Sequence, residues 1–184
     1  RQRVETLPAA AVVLATGGVG NLFLHTSNPV GATGDGVAMA HRVGAEVINA
    51  EYIQFHPTVL YHRDRKRFLI SESLRGEGAR LANRKGEFFM DRYAPEERDL
   101  ASRDKVARAI YAEMENENTE FVWLDARTIT SHKVEERFPV IFSTCLELGI
   151  DIRKEPIPVV PAAHYFCGGI KVDLEGRASI PGLY

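Results

Sequence analysis

The sequence has few cysteines, almost no net charge and no long hydrophobic run. Its two cysteines, Cys145 and Cys167, are not spaced as metal ligands or as a disulfide framework, and Cys145 lies in a periodic apolar segment typical of a buried free thiol. The 23 basic and 25 acidic residues give a formal charge of −2, which provides no overall electrostatic attraction to nucleic acid or anionic membranes. We therefore expect neither as a partner, and we expect any anionic ligand to bind a local cluster of side chains.

The longest apolar stretch, residues 7–15, contains Pro8 and is too short for a membrane-spanning helix. It also lacks the layout of a signal peptide, so a cytoplasmic protein is predicted. The chain has no initiator methionine, and apolar residues follow a turn at 180–184, whereas domain borders are usually polar. We therefore expect an internal piece of a longer protein. Its 45% hydrophobic and 26% charged residues are typical of a globular protein with a core.

Two segments near the N-terminus predict a strand followed by a helix. Residues 9–15 form a continuous apolar run that ends in a glycine turn at 16–20, which is typical of a buried strand in a parallel sheet. A helical repeat follows, with Thr33 or Asp35 as its possible N-cap and Gly44 at its end. The order strand, turn, helix is typical of α/β folds.

The rest of the chain mixes strands and helices. Residues 47–60 are rich in strand formers, but Pro57 lacks the N–H that a central strand needs. The later patterns predict a helix at 71–81, a hairpin at Gly86, a helix at 103–116 after Ser102 and a strand at 121–124. A further helix is predicted at 134–148, with Ser131 as a possible N-cap and a break near Pro139. An extended segment from 156 then leads to a strand at 170–173.

The glycine turn Ala15-Thr16-Gly17-Gly18 could let backbone N–H groups approach an anion or a cofactor, because glycine has no Cβ. A tight strand-to-helix turn explains it equally well, and the sequence lacks a G-x-G-x-x-G fingerprint. Two roles are also open for Asp35. It either caps the helix that follows or accepts a hydrogen bond from a polar group of a cofactor.

Arg103 is the most informative single residue. It lies in the first turn of a predicted helix, where the partial positive charge of the helix dipole disfavours a cation. A solvated arginine beside Asp104 or Asp99 is one explanation. The other is a guanidinium held for an anionic ligand, because its fork of N–H groups matches a carboxylate.

Two histidines, His56 and His164, lie among apolar residues and prolines, where backbone freedom is small. Such a histidine is more often a hydrogen-bonded structural residue than a ligand. A metal site that combines them with His62 lacks ligand-like spacing, so no metal is predicted. The polar segment 71–78 holds two hydroxyls, two carboxylates and an arginine, and is either a solvated helix start or a site that a ligand approaches closely.

Six ordered motifs together carry a family resemblance. They are Leu14-Ala15-Thr16-Gly17-Gly18, Gly34-Asp35-Gly36-Val37-Ala38-Met39-Ala40, Gln54-Phe55-His56-Pro57-Thr58, Leu74-Arg75-Gly76-Glu77-Gly78-Ala79, Ala101-Ser102-Arg103-Asp104 and His164-Tyr165-Phe166-Cys167-Gly168-Gly169-Ile170. Over nearly its whole length the chain resembles the succinate dehydrogenase, fumarate reductase and L-aspartate oxidase flavoproteins. Residues 149–165 are most similar to the aspartate oxidases. Ser71 departs from the threonine common in this family but keeps the hydroxyl.

The resemblance assigns roles to individual residues. It implies that Arg103 transfers a proton, that His56 and His164 bind substrate carboxylates, that Ser71 and Glu72 line the same site, that Arg75 helps to position the substrate, and that Ala15, Thr16, Gly17, Gly18 and Asp35 contact FAD. Because a guanidinium normally stays charged, a neighbouring carboxylate such as Glu77 or Asp104 would have to assist Arg103. The five residues His56, Ser71, Glu72, Arg103 and His164 are expected to meet in one pocket.

The implied reaction is oxidation of L-aspartate to iminoaspartate with FAD, with oxygen or fumarate as the final acceptor, for NAD biosynthesis. The implied fold is an α+β capping domain at 50–160, flanked by pieces of an α/β, Rossmann-like FAD-binding domain at 1–49 and 161–184. Because most flavin contacts would lie outside it, we expect the isolated piece to be inactive and to bind FAD poorly. A fumarate reductase or succinate dehydrogenase flavoprotein is the nearest alternative, and a non-catalytic interaction domain is the alternative of another class.

Overall fold

A computed structural model describes residues 4–64, 66, 68–130 and 133–184. Its helices are α1 (Asp35–Arg42), α2 (Glu72–Gly76), α3 (Met90–Tyr93), α4 (Arg103–Glu117), α5 (Val134–Arg137) and α6 (Pro139–Glu147). Its strands are β1 (Val47–Ile48), β2 (Ile53–Leu60), β3 (Arg80–Ala82), β4 (Val122–Asp125), β5 (Ile157–Phe166) and β6 (Gly169–Ile170). Short 3₁₀ turns lie at Gly20–Leu22, Arg98–Leu100 and Ala126–Thr128.

The strands form two sheets, and every pairing between the named strands is antiparallel. The larger sheet has the order β2-β5-β4-β3, and β1 pairs with β6 in the smaller one. Parallel pairing occurs among the described residues as the isolated bridges Val12–Leu183 and Thr26–Ala163. Pro57 lies in the edge strand β2, at a register shift, where its missing N–H breaks no regular ladder.

The hydrophobic core lies between the larger sheet and the helices that pack on it. Its fully buried members include Ile70, Phe89, Ile110, Leu124 and Ile157. The amphipathic helix predicted at 103–116 is confirmed as α4, which buries Val106, Ala109 and Ile110 against this core. The local 3.6-residue repeat was sufficient for this prediction because the helix buries one face only.

The prediction that the strand at 9–15 is buried is wrong for this chain. The segment is extended, and the Val12 N–H donates to Gly182 O at 2.8 Å while the Tyr184 N–H donates to Val12 O at 2.8 Å. However, Val12 and Val13 are 50% and 74% exposed. The apolar run has no layer packed on it within the described residues, so its hydrophobicity does not produce burial here.

Two predicted helix boundaries are corrected, and the predicted break near Pro139 is confirmed. The N-cap of α1 is Gly34, at φ +81°, rather than Thr33 or Asp35, because the turn requires a left-handed residue. The helix predicted at 71–81 ends after one turn, and the chain continues into β3. The helix predicted at 134–148 is split into α5 and α6, and the break falls just before Pro139, which has no N–H to continue α5.

The remaining turn predictions agree with the structure. Gly44 follows α1 at φ +93° and Gly86 forms a turn at φ +81° between bridged residues Ala82 and Phe88. Ser131, the possible N-cap of the later helix, lies outside the described residues. Among the helices that the structure describes, none combines the length and hydrophobicity needed to cross a membrane.

Candidate active site

The two predicted histidines meet on the neighbouring strands β2 and β5. His56 lies opposite Ala162, and the pairing then shifts so that Phe55 faces Ala163 while Gln54 faces Tyr165. His164 is therefore the extra residue of a β-bulge, a feature that redirects a side chain out of the regular alternation. The two imidazole rings lie in edge-to-face contact with their centroids 5.3 Å apart.

His56 is buried and neutral. Its Nδ1 accepts a hydrogen bond from the Thr58 backbone N–H at 3.2 Å, and the side chain is 1% exposed. Burial, reinforced by the positive charge of Arg103 and by His164, lowers the pKa of His56 to about 4. Burial and Arg103 also lower the pKa of the half-buried His164 below its usual value. Both rings are thus uncharged near neutral pH.

Arg103 projects from the first residue of α4 toward the same site. Its Nε donates to Glu72 Oε2 at 3.0 Å, its Nη2 lies 2.9 Å from the same oxygen, and its Nη1 donates to Gln54 Oε1 at 2.9 Å. Burial alone raises the pKa of Glu72, but the hydrogen bond from Arg103 and the charges of Arg75 and Arg103 outweigh it and hold the pKa below its usual value. The carboxylate offsets the unfavourable interaction of Arg103 with the helix dipole.

The carboxylates suggested as helpers of Arg103 have other partners. Glu77 accepts from Arg137 at 3.1 Å, and Asp104 accepts from Arg108 at 2.6 Å. Glu72 is the carboxylate that contacts Arg103 instead. This pairing joins residues 31 positions apart, so sequence spacing gives no sign of it.

Arg75 lies behind Glu72, and its side chain is completely buried. Its Nη1 donates to the backbone oxygen of Asp99, and its Nη2 lies 3.5 Å from Glu72 Oε1. Its Nε and Nη2 have no hydrogen-bond partner among the described residues. Ser71 precedes Glu72 as the N-cap of α2, where its Oγ accepts from the Ser73 N–H at 3.2 Å. Of the five residues expected in one pocket, His56, Glu72, Arg103 and His164 lie close together, while the Ser71 hydroxyl contacts Ser73.

A cavity of about 540 Å³ is lined in part by His164. Its lining includes Ala15, Thr16, Gly17 and Gly18 from the predicted glycine turn, together with His164, Tyr165, Gly168 and Gly169. Gly17 has φ +76° with open space where a Cβ would point, so its backbone is accessible to a ligand. Asp35 is exposed, is not among the described residues that line this cavity, and accepts a hydrogen bond from Thr33 Oγ1 at 2.9 Å.

Helix α1 packs closely on the glycine turn. A Cβ on Gly36 would lie 1.8 Å from Thr16 Oγ1, so glycine is required at this point of the helix. Arg103 also lines a groove of about 940 Å³ between β2, α4 and β5. Its lining combines apolar side chains with the polar or charged Gln54, Asp104 and Arg108.

The whole chain, residues 1–184, matches the FAD binding domain family. The chain belongs to this family. The resemblance noted in the sequence is confirmed, and so is the coarse fold, an FAD-binding domain that mixes helices with sheets. The 540 Å³ cavity fits such a cofactor. Its lining is rich in glycine, and its volume lies within the range of about 300–1,000 Å³ that is usual for ligand pockets.

Similar proteins narrow the comparison within the family. The chain is 53% identical over 184 residues to L-aspartate oxidase 1 of Ralstonia nicotianae and 51% identical over 181 residues to L-aspartate oxidase of Pseudomonas aeruginosa. It covers 34% of each, so the chain spans about a third of the length of these curated relatives. A solved structure of quinol-fumarate reductase with menaquinol molecules is 36% identical and superposes with a TM-score of 0.85 over 95% of this chain and 33% of that one.

Two residues of the site were missed in the sequence. Gln54 lies within a motif quoted for the family, but its contact with Arg103 has no local signal. Ser27 Oγ lies 2.7 Å from His164 Nδ1, across 137 positions of sequence. Contacts of this kind depend on tertiary pairing and cannot be read from spacing.

Proposed function

We propose that the complete protein carrying this chain is a flavoenzyme that oxidises L-aspartate to iminoaspartate in NAD biosynthesis, with oxygen or fumarate as acceptor, and that it acts in the cytoplasm. The observation that carries this proposal is the meeting of Arg103, Glu72, His56 and His164 at one site, in a chain about half identical to aspartate oxidases. Oxidation removes a hydride from Cα and a proton from the amino group, which leaves a carbon–nitrogen double bond.

The residues around the site suit a small dicarboxylate. Arg103 offers a charged N–H fork, and the neutral His56 and His164 can each donate one N–H without competing for a proton. Ser71 and Glu72 line the site beside them, and the buried Arg75 adds positive charge that helps to position the substrate. An oriented substrate reacts as part of one complex rather than by random encounter.

Arg103 and Glu72 are proposed to move the proton. A guanidinium alone is a poor base because it holds its proton strongly. Glu72 Oε2 lies 2.9 to 3.0 Å from two nitrogens of Arg103, so Arg103 can pass one of its own N–H protons to Glu72 as it takes the proton from the substrate, and it stays singly charged throughout. Arg103 is therefore the proposed catalytic residue and Glu72 its partner.

FAD, when bound, supplies the hydride acceptor for this reaction. We propose that Ala15, Thr16, Gly17 and Gly18 hold the cofactor through their backbone, and that Asp35 contacts it from the start of α1. His164 lines the cofactor cavity and also contacts His56. This shared residue supports a substrate site directly beside the flavin.

The domain division is part of the proposal. We propose that residues 50–160 form an α+β capping domain and that 1–49 and 161–184 belong to the Rossmann-like FAD-binding part. The buried hydrophobic cluster, which runs from Leu60 to Val159, supports this division. Limited proteolysis of the complete protein would test it, with first cleavage expected in the exposed turns at residues 49–52 and 153–155.

The choice between substrates can be tested on the complete, FAD-loaded protein. We expect aspartate-dependent formation of peroxide or reduction of fumarate, and at most weak oxidation of succinate. The likeness to quinol-fumarate reductase makes a fumarate reductase or succinate dehydrogenase flavoprotein the second candidate. Succinate oxidation without aspartate oxidation would establish that candidate instead.

Arg103→Leu tests the catalytic assignment and the alternative of a non-catalytic interaction domain. Because it removes the proposed proton-transfer group, we expect turnover with aspartate to fall by about 10³-fold. Arg108→Leu, on the same helix but with its side chain 74% exposed, is the matched control and should keep nearly full activity. Unchanged turnover in Arg103→Leu would refute the assignment.

A further inference from the structure

The loop at residues 25–28 is fixed to the bulged end of β5. The Ala163 N–H donates to His25 O at 3.0 Å, and the Ser27 N–H donates to Ala163 O at 3.0 Å. Thr26 Oγ1 donates to the same oxygen at 2.8 Å, and Asn28 Nδ2 donates to His164 O at 2.7 Å. These bonds hold the Ser27 backbone on both sides, so the position of its side chain is defined by the fold.

The Ser27 hydroxyl lies 2.7 Å from His164 Nδ1. Either group can be the donor in this contact, because a hydroxyl and a neutral imidazole can each donate or accept. A neutral imidazole has one N–H. If Ser27 donates to Nδ1, the ring proton lies on Nε2, and Nε2 can donate to a carboxylate.

His56 provides an independent parallel. The Thr58 backbone N–H can only donate, so its bond to His56 Nδ1 fixes the proton of that neutral ring on Nε2. The same tautomer in both rings gives the site two N–H donors. With the opposite tautomer, a ring would present a lone pair that repels an anion.

We propose that Ser27 is a positioning residue that holds His164 in the Nε2–H tautomer and thereby sets the affinity of the site for a dicarboxylate. The affinity part of this proposal rests on the function proposed above. The tautomer part depends only on the contact between the hydroxyl and the ring.

Ser27→Ala in the complete FAD-loaded protein tests the affinity part. Because the donor to Nδ1 is lost, we expect KM for aspartate to rise about tenfold with kcat changed less than twofold. Ser27→Thr keeps a hydroxyl and should restore KM. Ser143→Ala, which removes an exposed hydroxyl of α6 bonded to Val140 O, is the matched control and should resemble the wild type.

Nitrogen-15 NMR of histidine-labelled complete protein tests the tautomer part without any assay of activity. His164 should show a protonated Nε2 and an unprotonated Nδ1 in the wild type and in Ser27→Thr, and a mixture of tautomers in Ser27→Ala. A protonated Nδ1 in the wild type, or an unchanged KM in Ser27→Ala, would overturn the proposal. A wild type with the expected tautomer but no aspartate oxidation would instead refute the proposed function and leave the tautomer assignment standing.

Discussion

The central region, residues 53–166, and the flanks, residues 4–50 and 167–184, differ in how far their large apolar side chains are buried. The central region encloses a core in which Phe89, Ile110 and Leu124 are fully buried. The flanks expose large apolar side chains, including Leu7 at 83%, Val13 at 74% and Leu174 at 102%. The flanks form backbone hydrogen bonds to β5 and to each other and bury a few small residues, such as Ala40 and Ala45. The chain spans about a third of the length of its curated relatives, so we expect segments outside it to cover the apolar side chains of the flanks in the complete protein.

The largest expected difference between the two regions is in stability. Phe89→Ala removes a fully buried ring and should lower the free energy of unfolding of the 184-residue chain by about 3–5 kcal/mol. Val13→Ala removes an exposed side chain in a flank and should change it by less than about 0.5 kcal/mol. Urea denaturation followed by circular dichroism measures both. Equal effects would show that the flanks belong to the same cooperative core.

The free energy of unfolding should depend on pH because His56 is buried in the central region. Because the pKa of His56 falls from 6.5 to about 4 on folding, the unfolded state binds the proton more readily between these values. The free energy of unfolding is therefore unaffected by this group above pH 6.5 and decreases by about 3 kcal/mol as the pH falls to 4. Urea denaturation of the wild type and of His56→Gln at several pH values isolates the contribution of His56 to the free energy of unfolding. Parallel pH profiles for the two proteins would contradict a buried neutral His56.

The smallest expected effect concerns the cofactor side of the flanks. Gly36→Ala places a Cβ against Thr16, so the glycine turn should shift and the affinity of the complete protein for FAD should fall about tenfold. Gly31→Ala adds a Cβ in open space and is the matched control. Flavin fluorescence during titration measures the affinity. An unchanged dissociation constant in Gly36→Ala would separate the turn from cofactor binding.

How far the sequence predicted the fold depended on whether the cause was local. Helix α4 was predicted almost to its ends because its apolar repeat and its start at Ser102 lie within one segment. The short α2 was extended too far, since two glycines and the pairing of β3 with β4 end it early. The run at 9–15 was predicted to be buried but is exposed in this chain, which spans about a third of its curated relatives.

The same distinction applies to the candidate site. Arg103 was found from its unfavourable place in a helix dipole, which is a local argument. The family motifs brought His56, Glu72 and His164 together as a set. The particular contacts of Glu72, Gln54 and Ser27 were not predictable, because each joins segments that only tertiary folding brings within hydrogen-bond distance.

The single extra residue in β5 has a consequence for the length of this strand. Deleting His164 would remove this bulge but not the register shift between His56 and Val59, and the strand would lose a side chain that lines the 540 Å³ cavity and contacts His56. We therefore expect a shorter β5 to pair more regularly with β2 but to form a poorer binding site. The bulge therefore makes the proposed arrangement, a substrate site beside a cofactor cavity, depend on the number of residues in β5.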